Sequence, residues 1–599
     1  MMLEQAQQVL KQYFGFSSFR PGQEAVIKHV LEQRNTVGIM PTGGGKSLCY
    51  QVPGLLLEGT AVIISPLISL MKDQVDSLQA LGIEATYVNS SLSNDELTER
   101  LRGLEQGAYQ FIYVAPERFD SDRFIHALRK TPLSLIAFDE AHCISQWGHD
   151  FRPSYRSIIH NLAKLNDLPV LMGLTATATE EVTEDIQQLL HVSEEATVNT
   201  GFARDNLAFQ VVKGAEKHDY IEEYIASRRN ESGIIYTATR KDADRIYDWL
   251  SRKGHRISKY HAGRSEEERK QAQNDFIQDE VQLMVATNAF GMGIDKSNVR
   301  YVIHYSLPMN IESYYQEAGR AGRDGEPSDC ILLFSPKDIH LQKFLIEQSN
   351  MDDEKKTMEY QKLQQMVNYC HTDRCLMNFM LTYFNDPFNR EECGACSNCL
   401  STGEQTDRTK EAQIVLSCIK RMGERFGAGM VAKVLKGSKS QKVLDFRFHT
   451  LSTYGLLSKW KEKEIAQFIQ YLISEGIVSA SEGQYPLLKL TQEALPVLKS
   501  ERTVTMKVET PVQQQTDENV DQELFEQLRS LRKSIADEHE IPPYIVFSDA
   551  TLKEMTIHLP TTKEHMLSIK GVGEKKFEQY GDVFLDRITS YRAVVDGTI

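Results

Sequence analysis

Short apolar runs rich in β-branched residues recur along the first 335 positions, each followed by a longer stretch with helical polar–apolar spacing. "AVIISP" (61–66), "FIYVAPE" (111–117), "SLIAFDE" (134–140) and "VLMGLTAT" (170–177) begin the series. "GIIYTAT" (233–239), "LMVATNAF" (283–290) and "YVIHYS" (301–306) continue it. A strand apolar at every position is buried on both faces, and strands that alternate with helices pair in parallel. The rhythm stops and restarts near residues 200–210, which predicts two α/β lobes with parallel sheets, over 1–205 and 206–338.

Beyond residue 340 the spacing turns helical to about 385, and cysteines then cluster up to 399, so 339–407 is expected to form one small unit. Residues 408–500 predict a compact helical unit that ends in a short β-hairpin. The polar, Gln-rich, aperiodic stretch that follows reads as a linker over 501–519, leaving a last helical module over 520–599.

Composition narrows the class without naming it. With 41% hydrophobic and 25% charged residues, each unit can build a core. No apolar run approaches the ~20 residues of a membrane span, and the N-terminus lacks the basic-then-apolar order of a signal peptide. Nine cysteines, an odd number in a long chain, do not read as a disulfide framework. The expectation is a cytoplasmic protein without membrane contact. The net charge of −15 speaks against nucleic acid only superficially, because binding depends on where the cations sit. Residues 408–500 carry fifteen Lys/Arg against eight Asp/Glu, so that unit could face phosphates.

Three motifs carry phosphate chemistry. "MPTGGGKS" (40–47) lies between a strand-like "NTVGI" and a helix-like "LCYQVPGLLL". Thr42, Gly43 and Gly45 would let backbone N–H groups wrap a phosphate, Lys46 would reach the β/γ-phosphates, and Ser47 would hold Mg²⁺. Met40 stands where the general pattern begins with glycine, so the strand–loop–helix context carries the assignment. "DEAH" (139–142) ends a strand, where Asp139 would hold Mg²⁺ through water and Glu140 would orient and deprotonate the attacking water. "QEAGRAGRDG" (316–325) offers Arg320 and Arg323 one turn apart on a predicted helix. Arginines from the second lobe would meet the γ-phosphate only when the cleft closes; a salt-bridged helix is the alternative.

Cysteines supply separate chemistry. "CGACSNC" places Cys393, Cys396 and Cys399 at two-residue gaps, so one loop can deliver three thiolates to one ion. The fourth ligand lies upstream, with Cys370 and Cys375 competing. Tetrahedral Zn²⁺ is the leading reading and an iron–sulfur cluster its rival.

Taken in order, "FRPGQ" (19–23), "TGGGKS", "SPLISLMKDQ" (65–74), "DEAH", "LTATAT" (174–179), "VATNAFGMGIDK" (285–296) and "QEAGRAGRDG" resemble a superfamily-two helicase, specifically the RecQ DNA helicases of bacterial type. The resemblance runs over almost the whole chain. It implies two RecA-like lobes, a zinc-binding helical platform, a winged helix and a small HRDC domain. It also implies an ATP-dependent 3′→5′ helicase acting on single-stranded and duplex DNA in recombination, repair and replication restart. Single-strand DNA-binding protein is the protein partner it implies.

Residue by residue, the resemblance gives Phe16, Arg20 and Gln23 to the adenine: a ring and a guanidinium flank the base, and an amide reads its edge. It gives Trp147, Phe151 and Arg152, in the aromatic-rich "HCISQWGHDFR" (142–152), to single-stranded DNA, where stacking ignores sequence. His149 and Asp150 are relays in that loop or a structural pair. Lys72 would meet a backbone phosphate, and the "LTATAT" hydroxyls would link the carboxylates to the DNA side. Asp295 receives no contact. For the metal, the resemblance favours Cys375 as fourth ligand. Lys433, Lys436, Lys439 and Lys442 of the winged helix are expected to spiral around one helix, so not all can face DNA. In the last module, Tyr544 and the lysines around Gly571 and Gly573 are candidate single-strand contacts, the "GVG" turn serving the core as the alternative. An RNA helicase, or a DNA-binding or annealing factor switched by ATP, are the rival functions.

Overall fold

The computed structural model describes residues 2–595 apart from 149, 166, 229–230, 292–295, 388–389, 402, 404, 482, 484–485, 508–520 and 540. His149, Asp295 and most of the expected linker therefore lie outside the described residues.

In the first lobe seven strands form one wholly parallel sheet: β1 (Thr36–Ile39), β2 (Thr60–Ile64), β3 (Ala85–Val88), β4 (Phe111–Val114), β5 (Leu133–Phe138), β6 (Val170–Thr175) and β7 (Thr197–Asn199). Their order is β3-β4-β2-β5-β6-β1-β7. β1, β2 and β4 are buried at every position, and helices cover both faces. β1, β6 and β5 are neighbours, so the loops that follow them share one rim of the sheet.

Six parallel strands build the second lobe: β8 (Leu207–Lys213), β9 (Ser232–Tyr236), β10 (Ile257–Tyr260), β11 (Leu283–Ala286), β12 (Val299–His304) and β13 (Ser328–Phe334), in the order β10-β11-β9-β12-β13-β8. The first sheet ends at Asn199 and the second begins at Leu207, so residues 200–206 are the whole connection.

Two expectations about the placing of cations change. Arg320 and Arg323 are not on a helix: the helix Ile311–Ala318 stops before them, and Gly322 turns the chain at φ +57°. Lys433 and Lys436 share the helix Ala428–Lys436, but Gly437 caps it in the left-handed conformation, so Lys439 lies in the turn and Lys442 on Gln441–Asp445.

The cysteine-bearing platform rests on the long helix Asp353–His371. The next unit has its own core, including Val415, Ile419, Val431, Leu435, Phe468 and Leu472. Around that core lie β14 (Gln405–Asp407), β15 (Val478–Ala480), β16 (Leu488–Leu490) and β17 (Thr505–Lys507). β15 and β16 form the expected hairpin, whereas β14 pairs with β17. That pairing draws residues on both sides of 408–500 into the unit, and Thr505–Lys507 of the expected linker are strand. A separate core around Leu528, Phe547, Leu552 and Phe584 holds the last helical module.

Candidate active site and nucleic-acid interface

The loop after β1 and the helix Lys46–Leu56 form a phosphate cradle. Gly43 and Gly45 adopt φ +75° and +76°, a region that costs other residues about 1–2 kcal/mol, and Gly45 caps the helix. Lys46 Nζ lies 3.4 Å from the carbonyls of Met40 and Pro41, and Ser47 stands in the first helical turn. Gln23, 1% exposed, donates its amide to the carbonyls of Gly44 (3.2 Å) and Gly45 (2.9 Å) and accepts from Arg20 N–H (2.8 Å). Arg20 Nη1 donates to the Gly43 carbonyl. The base-pocket segment is thus bonded to the cradle itself, and Phe16 packs on the apolar cluster of Leu10, Ile27 and Val52.

Asp139 and Glu140 follow β5 on the same rim. Burial and the neighbouring Glu140 push the Asp139 carboxyl up to about 7, while Lys46 and Arg323 oppose the rise. Glu140 takes φ +49°, a strained setting for a side chain of its size. Its Oε2 is buried without a hydrogen-bond partner among the described residues, 3.4 Å from His142 Nδ1. Burial, with Lys46 and Arg152 nearby, lowers His142 to about 3, so the ring is neutral. His142 Nδ1 is 3.0 Å from Thr175 Oγ1, whose own proton goes to the Thr177 carbonyl. The neutral ring thus sits between the Glu140 carboxylate and the end of β6.

From the other lobe, Arg323 reaches the cradle: a Cβ built on Gly43 would lie 3.3 Å from the Arg323 Cα and 3.3 Å from Arg204 Nη1. Gly319 is as tight, since its Cβ would meet Thr42 Oγ1 at 2.0 Å. Arg320 is 2% exposed beside Tyr236, with Nε and Nη1 unpartnered among the described residues. Arg204 feels the charges of Arg323 and Arg20, and Lys46 that of Arg323. Lys46, Arg20, Arg204 and Arg323 thus meet at one glycine cradle beside two carboxylates. That donor set fits a nucleoside triphosphate with its Mg²⁺, the cations on the phosphates and Asp139 with Ser47 on the metal.

The aromatic-rich loop starts from the 3₁₀ turn Ala141–Ile144. A Cβ on Gly148 would lie 2.3 Å from the His142 carbonyl, so the loop closes only with glycine there. Arg152 does not point outward: Nη1 donates to the Pro66 carbonyl (2.9 Å) after β2, and Nε to Asp150 (3.0 Å). Phe151 is half-buried. Trp147 is 45% exposed and stands at a cavity of about 790 Å³ whose walls include Glu181, Asp185, Glu312, Lys362 and Tyr383. Lys72 is exposed on the helix Ile68–Ala80.

At the metal candidate, the sulfurs of Cys375, Cys393, Cys396 and Cys399 all lie within 4.8 Å of one another. Cys375 and Cys396 are 3.9 Å apart, close to the roughly 3.8 Å that a tetrahedron of ~2.3 Å Zn–S bonds requires. Backbone N–H groups of Leu376, Asn378, Ala395 and Cys396 point at these sulfurs, a setting that favours thiolates. Cys370 lies outside the cluster, and burial keeps it a thiol.

The last module docks on both lobes. Gly573 meets Gly15, Lys575 donates to the Leu81 carbonyl (3.1 Å) and covers the Tyr13 ring, and Lys533 pairs with Glu280 (3.0 Å). Lys553 pairs with Glu326, and Arg532 approaches Asp279 at 3.8 Å. Two lysines after the "GVG" turn are therefore engaged within the protein, Lys576 on the Ile545 carbonyl. Tyr544 is half-buried. Neither this docking nor Arg204 had a sequence signal.

Residues 20–186 match the DEAD/DEAH box helicase family and 216–325 the helicase conserved C-terminal domain. RecQ zinc-binding matches 336–400, the RQC domain 402–515 and the HRDC domain 521–588. The ATP-dependent DNA helicase RecQ of Bacillus subtilis is 54% identical over 99% of this chain and 100% of its own length. The chain belongs to the RecQ family. The Haemophilus influenzae RecQ helicase is 41% identical over 98% of the chain and 96% of its own length. A plant RecQ relative, ATP-dependent DNA helicase Q-like 4B of Arabidopsis thaliana, is 34% identical over 97% of the chain and 56% of its own. Family membership fixes the cofactors as ATP, Mg²⁺ and Zn²⁺, and the four-cysteine cluster is the place for zinc. Among the described residues no helix is long and apolar enough to cross a membrane.

Proposed function

We propose that the chain is an ATP-dependent DNA helicase that separates strands 3′→5′. The observation that carries it is the convergence of Lys46, Arg204 and Arg323, from both lobes and the segment between them, on one glycine cradle beside Asp139 and Glu140. Such a site is complete only with the lobes together, so binding and hydrolysis of ATP must move them.

In that cycle Lys46 and Arg323 neutralise the charge that develops on the γ-phosphate, with Arg320 behind them. Bound Mg²⁺ supplies further neutralisation of the phosphates. Glu140 takes the proton of the attacking water, and neutral His142 holds its carboxylate from the Thr175 side. Phe16, Arg20 and Gln23 hold the adenine, the last two while bonded to the cradle. The aromatic-rich loop reports DNA to the carboxylates: Trp147 and Phe151 stack on bases, and Arg152 ties the loop to the end of β2. Acidic walls around Trp147 favour contact with a base over contact with phosphate. Lys72, Tyr544 and the basic winged helix add contacts to the strands.

The lobes divide within the 200–206 connection, the platform follows from 339, the winged-helix unit of 408–500 is closed by the flanking strands β14 and β17, and the last module occupies 520–599. We infer action on the chromosome in the cytoplasm, in recombination, repair and replication restart, with single-strand DNA-binding protein as partner. The test is ATP hydrolysis with no nucleic acid, with single-stranded DNA and with single-stranded RNA. Stimulation by DNA of ten-fold or more, well beyond RNA, is expected. Stimulation by RNA alone would make this an RNA helicase, and none by either would leave an ATP-switched binding factor.

A further inference from the structure

Residues 200–206 join the lobes, and they do more than connect. Phe202 is fully buried, stacked on Phe384 of the platform (4.6 Å) and edge-on to Tyr315 (6.1 Å). Its N–H donates to Asp386 (2.5 Å) and its carbonyl accepts from Tyr315 Oη (2.7 Å). The connection is therefore anchored to the second lobe and the platform.

Arg204, 8% exposed, points from this anchored segment across the seam. Nη2 donates to the carbonyls of Ala321 (3.1 Å) and Gly322 (2.6 Å), and Nη1 to those of Gly319 (3.3 Å) and Thr42 (2.6 Å). Nη1 is also 3.4 Å from Thr42 Oγ1. Nε donates to Asn206 Oδ1 (3.2 Å), whose amide reaches the carbonyls of Gly322 and Glu326. Nearly all these partners belong to the second lobe; Thr42 alone belongs to the first. If the lobes part as rigid bodies, Arg204 stays with the second lobe, and its bonds to Thr42 are the ones that break.

We propose that Arg204 is a positioning residue, a latch by which the second lobe grips the cradle through the Thr42 carbonyl and so sets Arg323 against the γ-phosphate. The carbonyl it grips precedes Gly43, whose Cβ position lies 3.3 Å from both Arg204 Nη1 and the Arg323 Cα. One guanidinium thus fixes the spacing of the two parts that must meet for hydrolysis. A planar fork can span carbonyls on two lobes, whereas an ammonium cannot hold that geometry. Charge alone is therefore not sufficient at this position. The inference rests on the ATP-driven reading above.

The test compares wild type, Arg204→Lys and Asn206→Ala in DNA-stimulated hydrolysis. Lobe closure is read as the distance between labels at exposed Glu58 and Arg252, introduced as unnatural amino acids, with and without a non-hydrolysable ATP analogue. Arg204→Lys should lower kcat about ten-fold or more with KM for ATP within about three-fold, and the closed distance should not be reached. Asn206→Ala, which loosens the fork without touching the cradle, should lower kcat about two- to five-fold, and it carries the test if Arg204→Lys fails to fold. Full kcat with normal closure in Arg204→Lys, or unchanged kcat in Asn206→Ala, would overturn the latch. So would losses that merely track the folded fraction seen by thermal melting. Wild-type protein without DNA-stimulated hydrolysis would instead sink the motor reading, and the label distance would still judge the latch.

Discussion

The seam between the lobes and the seam between the lobes and the last module are built from different chemistry. At the first, one guanidinium meets backbone carbonyls, and Gly43 and Gly319 let the chains approach to contact. At the second, charged side chains meet charged side chains as well, Lys533 with Glu280, Lys553 with Glu326 and Arg532 near Asp279, beside one glycine contact and the Lys575 bond to the Leu81 carbonyl. Backbone carbonyls do not titrate, and salt screens a buried contact little, so the first seam is suited to fixed catalytic spacing. Ion pairs at a domain edge weaken with salt, and anionic phosphates can compete for the lysines. The more exposed Lys533–Glu280 pair is the part of the second seam most open to such competition, whereas Arg532 is buried and Asp279 nearly so.

Removing what the first seam closes on breaks the comparison most completely. Lys46→Ala should lower ATP hydrolysis by about 10²–10³-fold or more and abolish unwinding, with DNA affinity nearly unchanged in a fluorescence titration. The hinge can also be loosened from outside, because the platform holds it through Asp386 on Phe202 and Arg390 on Asp205. Cys375→Ser should lose the single zinc by elemental analysis, lower the melting temperature and slow hydrolysis. Cys370→Ser should keep the metal.

Trp147→Ala separates DNA sensing from both seams. One lost stacking partner weakens binding by about 1–3 kcal/mol at most, whereas DNA stimulation of hydrolysis should fall about ten-fold and the DNA-free rate should hold. Acid should act through Asp139. Below about pH 7 its carboxyl holds a proton that Mg²⁺ must displace, so Mg²⁺ affinity should fall up to ten-fold per pH unit and level off above pH 7. Magnesium titrations of activity between pH 5.5 and 8.5 check this. The smallest effect belongs to the second seam. Lys533→Glu with Lys553→Glu should free the last module, seen as a larger radius in small-angle scattering, and ~1 M salt should do the same to the wild type. Hydrolysis should change less than about three-fold.

Both lobes were legible because strands buried on two faces write unbroken apolar runs. "FIYV" and "SLIAF" became β4 and β5, and "GIIY" became the core of β9. β3, β7, β8 and β10 escaped because they are partly exposed and carry a weaker signal, whereas β13, buried throughout, was missed although its "CILLF" is an unbroken apolar run. The cradle and the carboxylates were legible because phosphate chemistry restricts residue type and spacing within a few positions. Arg204 was not, since carbonyl partners leave no trace in sequence: its bonds go to Thr42, 162 positions upstream, and to residues 319–322, more than a hundred downstream. The docked module was hidden for a related reason. Lys575 looks the same in sequence whether it meets DNA or the Leu81 carbonyl.

Strand separation reads out the motor itself. Fluorescently labelled duplexes with a 3′ tail, a 5′ tail or RNA strands are mixed with the protein, with and without ATP. Rapid separation of the 3′-tailed DNA is expected only when ATP is present, with little on the 5′-tailed or RNA duplex. Separation without ATP, or with equal speed on all three duplexes, would contradict the 3′→5′ motor.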